Sequence, residues 1–223
     1  MTPRDLQELG WDADRQAGFP SSAEDLAPAL VTRVDRGACD VLTVDGPARL
    51  TFAGSLLAAV ADDPVLHPCV GDWVVARAWP DGRNTAESVL PRRSAIVRAT
   101  AAAGVALGQV LAANVDHALV VEGLHPEPDL GRIERLLALA WESGATPVVV
   151  LTKADLVPDG ELLGRDVAAA APGVAVHVVS ARTGDGMAAV RAYARQGSTL
   201  ALLGPSGSGK STLTNALAGV TVM

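Results

Sequence analysis

Residues 198–219 read STLALLGPSGSGKSTLTNALAG. Within them Gly204, Pro205, Ser206, Gly207, Ser208, Gly209, Lys210 and Ser211 fit G-x-x-x-x-G-K-[ST], a phosphate-binding loop. The apolar run 198–203 reads as a strand, and the residues after Lys210 read as a helix ending at Gly219. Glycines let consecutive backbone N–H groups turn inward around a phosphate. Thr212 then lies at the start of a helix whose positive end faces the anion. Lys210 is the candidate for the β- and γ-phosphates, and the Ser211 hydroxyl is the candidate Mg²⁺ ligand. A strand, loop and helix in this order predict an α/β domain built on a parallel sheet.

The loop does not select a base. The same residues would open a transporter-type ATPase, and the choice falls to two stretches upstream. PVVVLTKADL (147–156) is a buried-strand pattern ending in Thr152, Lys153, Ala154 and Asp155. An aspartate there accepts from both N1–H and the 2-amino group of guanine, whereas adenine has no such donor pair, so the carboxylate selects the base. GTPases usually carry Asn-Lys-x-Asp at this place, and Thr152 stands in for Asn. Taken alone, Asp155 reads equally well as a helix N-cap. VAVHVVSARTGDG (174–186) is a second strand, followed by Ser180 and Ala181, whose backbone N–H is the candidate partner of the guanine O6. After Lys210 the chain also follows a G-K-S-x-L-x-N-x-L-x-G run. That run is typical of GTPases, and the LSGGQ-type signature of transporter ATPases is absent. The base motifs thus precede the phosphate loop, the reverse of the usual order. A circular permutation keeps such a constellation, because all of its loops lie at one edge of a parallel sheet.

These residues resemble the circularly permuted ribosome small subunit-dependent GTPase A family (RsgA, also YjeQ). LGWD near the N-terminus, LPRRS (90–94), QVLAANVD (109–116), GRIERLLALAWESGATPVVVLTKADL (131–156) and the loop follow that family's order. The resemblance implies an N-terminal all-β OB-fold barrel followed by an α/β P-loop GTPase domain. It further implies GTP or GDP and Mg²⁺ as ligands, and a role in late maturation of the small (30S) ribosomal subunit with its rRNA as partner. It also implies a C-terminal zinc-binding domain, a switch threonine and a D-x-x-G motif. No aspartate here has glycine three residues on, and Cys39 and Cys69 form no C-x-x-C, so no zinc site is expected in this chain. The expected GTPase domain is therefore incomplete, and the catalytic residues stay unassigned. A natural truncation and a fragment both remain open. So does a non-hydrolysing nucleotide- or RNA-binding piece and, more weakly, the transporter-type ATPase. Without the D-x-x-G strand, residues 200–203 are expected to present an apolar sheet edge.

The expected division is an arm over 1–27, mobile and with one short helix, the barrel over 28–95 and the GTPase domain over 99–223. Net charge is −7 overall, and is −4, 0 and −3 over residues 1–27, 28–98 and 99–223. An acidic chain is a poor non-specific nucleic-acid binder, so charge gives no argument for ribosome binding. Scattered cysteines, an acidic N-terminus and the lack of a long apolar run point to a cytoplasmic protein with no membrane span, expected as a monomer. Short β-rich runs from 28 to 90 with turns at Asp45-Gly46 and Asp81-Gly82 suit a five-stranded barrel. Arg33, Arg36, Arg77 and Arg83 with Trp79 are candidates for an RNA face, against the alternative of a solvated, charge-balanced barrel. Arg92 and Arg93 contact either RNA or acids. A helix is expected over 129–144, with Ile133, Leu136, Leu137, Ala140 and Trp141 on its inner face, and another over 185–196. His177 is read as a packed residue within a strand.

Overall fold

The computed structural model describes residues 5–20, 25–102 and 105–221. The chain forms two compact units, residues 1–115 and 116–223. The first opens with a 3₁₀ turn, Leu6–Leu9, and a short helix α1 (Ala13–Gly18) whose Asp12 side chain caps Arg15 N–H. Residues 5–20 do not form the mobile arm expected. Trp11 is 7% exposed and packs edge-on against Trp73 at 4.8 Å and Phe19 at 5.8 Å. Val75 and Leu90 complete this small core, so one large aromatic side chain fixes the segment.

Strands β1 (Leu26–Asp35), β2 (Ala38–Thr43), β3 (Gly46–Phe52), β4 (Trp73–Ala78) and β5 (Asn84–Val89) close into a barrel in the order β1-β2-β3-β5-β4. β1 pairs with both β2 and β4, which closes the ring. β3 and β5 run parallel and therefore need a crossover, and helix α2 (Gly54–Asp62) lies on it. Alternate side chains such as Ala29, Val31, Cys39, Val41, Leu50 and Val74 fill the interior. This is the OB-like barrel the turn spacing led us to expect.

A hairpin of β6 (Ala95–Ala102) and β7 (Val105–Ala113) also belongs to the first unit. The sequence reading gave it no strands and put residues from 99 onward with the nucleotide domain. Asn114 Nδ2 donates to Gly71 O, and Arg93 N–H donates to Asn114 Oδ1, tying the hairpin's end to a barrel loop. Gly71 has φ +90°, and a Cβ there would lie 2.1 Å from Ala113 O, so only glycine permits this approach.

The second unit is a parallel sheet, β8 (His117–Gly123), β9 (Thr146–Thr152), β10 (Ala175–Val178) and β11 (Leu200–Leu203), in the order β10-β9-β8-β11. The middles of β8 (residues 118–121) and β9 (residues 147–151) are apolar runs because both of their faces are buried. Val120, Val149 and Leu151 meet Ile133 and Leu137 of α3 (Leu130–Glu142) and Val167 of α4 (Gly160–Ala170). Leu119, Val121, Val148 and Val150 meet Met187 and Val190 of α5 (Met187–Arg191) and Leu213 of α6 (Lys210–Ala218). Trp141, expected on the inner face of α3, is 55% exposed, because the buried stripe is Ile133, Leu137 and Ala140 and Trp141 falls to its side. The helix expected over 185–196 is only the five residues of α5, and α4 went unrecognised. β11 has one strand neighbour among the described residues, and its residues are partly buried.

Candidate nucleotide site

All four strands of the sheet point the same way, so the loops after Gly123, Thr152, Val178 and Leu203 gather at one edge. The phosphate-binding candidates occupy the loop after β11. Gly204 has φ +156°, and a Cβ there would lie 2.2 Å from Val121 O. Gly209 has φ +93°, and its Cβ would press on Thr152 Oγ1 at 3.1 Å. Both positions demand glycine, and this lets the loop close over the sheet edge. Gly209 is also the N-cap of α6 and supplies no side-chain cap, so the first-turn N–H groups of Lys210, Ser211 and Thr212 are left for an anion. Lys210 Nζ donates to Gly204 O at 2.8 Å and Pro205 O at 2.6 Å, folding its charge back onto the loop. Ser211 is exposed at the start of α6, and Ser208 Oγ is buried without a partner among the described residues.

On the base side, Thr152 is buried and donates to Ser208 O at 2.5 Å, with Glu122 O at 3.3 Å. The hydroxyl that replaces the usual amide therefore ties the base motif to the phosphate loop. Lys153 takes a left-handed φ of +63°, and its Nζ reaches His125 O at 3.3 Å. The Asp155 side chain, 13% exposed, faces two donors and caps no helix. Ser180 Oγ donates to Oδ1 at 2.7 Å, and Arg182 Nε lies 3.2 Å from Oδ2. The Ser180 bond chiefly, then the residue's own backbone N–H and, least, Arg182, hold the Asp155 carboxyl below its usual value of 3.8 against the opposing effect of desolvation. Ser180 is itself 1% exposed and forms the wall behind the carboxylate. Ala154 turns the other way and packs against the core beneath α3 and α4.

Thr152, Lys153, Asp155, Leu156, Ala181, Arg182, Gly209 and Thr212 line one cleft of about 230 Å³. Residues from both base motifs thus share a cavity with the loop glycine and the first turn of α6. A neighbouring cleft holds Pro205, Ser206, Gly207 and Ser208 with Lys153, Glu122 and Arg132. Sequence reasoning missed the last pair. Glu122 is the penultimate residue of β8, its side chain 6% exposed, and Arg132 meets both of its carboxylate oxygens at 2.7 and 2.9 Å. An acid inside an otherwise apolar strand, ten residues before an arginine on a helix, was the available signal.

Residues 89–223 match the RsgA GTPase family. The chain belongs to that family. Among its relatives is the small ribosomal subunit biogenesis GTPase RsgA of Streptomyces avermitilis, 52% identical over 98% of this chain and 58% of the relative. The Streptomyces coelicolor protein of the same name is 50% identical over 98% of this chain and 59% of its own length. The chain thus spans about three fifths of the curated relatives it matches. YjeQ from Thermotoga maritima has a similar structure, with TM-score 0.69 and 24% identity over 89% of this chain and 67% of that one. YloQ, a circularly permuted GTPase, gives 0.61 at 23% identity over 88% of this chain and 66% of that one. Those likenesses carry the fold, a closed barrel followed by a permuted parallel sheet.

The Ser211 hydroxyl, Lys210 and the first-turn N–H groups of α6 form a set that suits phosphates, and the hydroxyl would hold a hard cation beside them. Among the described residues no three His, Cys, Asp or Glu side chains are grouped to hold a metal.

On the barrel, the candidate RNA face is largely ion-paired. Arg33 meets Asp35, Arg77 meets Asp25 at 2.7 Å and Arg83 meets Asp81 at 2.7 Å, while Arg36 has no ion pair among the described residues. The guanidinium groups of Arg77 and Arg83 lie 5.3 and 5.6 Å from the Trp79 ring, which is 39% exposed.

Proposed function

We propose that the chain binds GTP and GDP through Thr152, Lys153, Asp155, Ser180 and Ala181 on the base side and residues 204–212 on the phosphate side. The observation that carries this reading is the single cleft in which Asp155 and Ala181 meet Gly209 and Thr212. In it Asp155 presents a carboxylate held ionised from behind by Ser180, suited to accept the paired donors of guanine. Ala181 N–H has no backbone partner among the described residues and lines the same cleft, which supports its reading as the donor to O6. Lys210 would leave the loop carbonyls for the phosphates, and Ser211 would hold Mg²⁺ beside them. The domain division proposed is a barrel followed by a nucleotide-binding domain.

The relatives are named for small ribosomal subunit biogenesis, and we carry that role to this chain. Its nucleotide state is proposed to govern binding to the small subunit, with hydrolysis of GTP to GDP as the reaction and the barrel meeting rRNA. Exposed ion pairs contribute little, so Arg33, Arg77 and Arg83 can exchange their acids for phosphates. We take the protein to act as a cytoplasmic monomer.

The test is competition for fluorescent GDP. GTP is expected to displace it and ATP is not, and Asp155→Asn is expected to shift preference toward xanthine nucleotides. Equal displacement by ATP would remove the base assignment. Cosedimentation with small subunits in GDP and in a non-hydrolysable GTP analogue tests the partner.

A further inference from the structure

We propose that Arg182 is a built-in competitor for the guanine edge, occupying Asp155 until a guanine nucleotide displaces it. The inference rests on the guanine reading above and adds a residue that sets the affinity and selectivity of that site. The two oxygens of Asp155 have different partners. Oδ1 accepts from Ser180, which is buried and belongs to the cleft wall. Oδ2 faces Arg182, whose side chain is 78% exposed and lines the same cleft as Asp155 and Ala181. One partner is therefore fixed by packing, and the other is free to swing into solvent.

The chemistry of the two occupants is alike. Guanine offers the carboxylate its N1–H and 2-amino donors on a shared carbon, the same planar N–C–N arrangement as a guanidinium. Arg182 and guanine thus seek the same acceptor from the same cleft. Adenine has no such donor pair, so its binding gains nothing from displacing the arginine. Because Arg182 follows Ala181 directly, its departure frees the carboxylate without moving the backbone N–H proposed for O6.

The competitor is weak, because its guanidinium end lies in solvent. Removing it by Arg182→Ala is expected to tighten GDP binding about two- to fivefold at low salt. Binding of ADP is expected to stay where it was or to weaken with the loss of a positive charge from the cleft. The informative quantity is therefore the ratio of GDP to ADP affinity, which a general charge effect moves equally for both. Salt sets a second readout, since it screens the Arg182–Asp155 pair in the unaltered chain.

The experiment is titration of the full chain and its Arg182→Ala and Arg182→Lys variants with fluorescent GDP and ADP at low and high salt. The expected result is a GDP-to-ADP ratio raised about two- to fivefold in Arg182→Ala, with the gap closing at about 0.5 M salt. Arg182→Lys keeps the charge without the planar edge and is expected to fall between. An unchanged ratio in Arg182→Ala, or weaker GDP binding at unchanged ADP binding, overturns the proposal and makes Arg182 neutral or a base contact. Failure of the unaltered chain to prefer GDP over ADP overturns the guanine reading itself, and the competitor with it.

Discussion

Thr152 shows how one side chain can connect two motifs far apart in sequence. Its hydroxyl reaches Ser208 O in the phosphate loop, and Gly209 has no side chain to block it. Thr152→Val keeps the shape and removes the donor, leaving a buried carbonyl unpaired. A loss of about 1–3 kcal/mol in urea unfolding is expected, together with weaker GDP binding, while Thr152→Ser retains both. Arg92 resolves an alternative that its sequence left open. It makes a two-pronged contact with fully buried Asp72 at 2.7 Å and also donates to Val65 O and His67 O, so its charge is consumed inside the first unit. Arg92→Ala strands the Asp72 carboxylate, and about 3–5 kcal/mol of stability is expected to be lost. His177 hydrogen-bonds Tyr193 Oη at 2.9 Å, and burial holds its imidazole below the usual 6.5. As pH falls through about 6.5 the unfolded chain therefore takes up a proton that the folded state resists, and stability drops with it. His177→Gln should flatten the stability profile between about pH 7 and 5.5, as read by denaturation at each pH.

At the scale of elements, α4 shows where patterning fails. Its sequence GELLGRDVAAA holds two glycines, poor helix formers, and follows a proline, so its periodicity is faint. The packing explains the glycines. A Cβ on Gly164 would lie 2.6 Å from Val178 Cγ2, and one on Gly160 would lie 3.4 Å from Leu124 Cδ1. The helix therefore sits closer to the sheet than alanine permits. Gly164→Ala is expected to destabilise the second unit by about 1–3 kcal/mol through overpacking, despite alanine's better helix propensity. Unfolding curves of the two proteins decide this, and a stabilised variant would show that the contact relaxes freely.

The elements that were legible share a reason. β8 and β9 are apolar on both faces, the barrel strands alternate, and the phosphate loop has a glycine-imposed backbone, so each carries its physics locally. What stayed hidden depends on distant partners. The β6–β7 hairpin is anchored through Asn114 and Gly71, the N-terminal segment through Trp11 on Trp73, and the Glu122–Arg132 pair bridges a strand and a helix. The base motifs could be named from their order, yet the links among Thr152, Ser208, Ser180 and Asp155 required the sheet.

At the scale of the molecule, each compact unit encloses its own core. Val31, Leu50, Val74 and the Trp11–Trp73 cluster lie within residues 1–115, and the two layers flanking the parallel sheet lie within 116–223. Residues 1–115 made alone are therefore expected to fold, with β-type circular dichroism and a blue-shifted emission from buried Trp11 and Trp73 beside that of part-exposed Trp79. Ligand linkage then assigns the nucleotide to one unit. GDP at about a hundredfold over its Kd adds about 2.7 kcal/mol to whatever binds it. Residues 116–223 hold Lys210 and the whole cleft, so amide exchange in the full chain should slow across β8 to α6 on adding GDP. Exchange across β1 to β5 should not change. Lys210→Ala removes the charge that meets the phosphates and should abolish this protection, while leaving the barrel's exchange and the signals of Trp11 and Trp73 as they were. Collapse of the barrel in Lys210→Ala, or equal protection of both units by GDP, would show that the two cores do not stand apart.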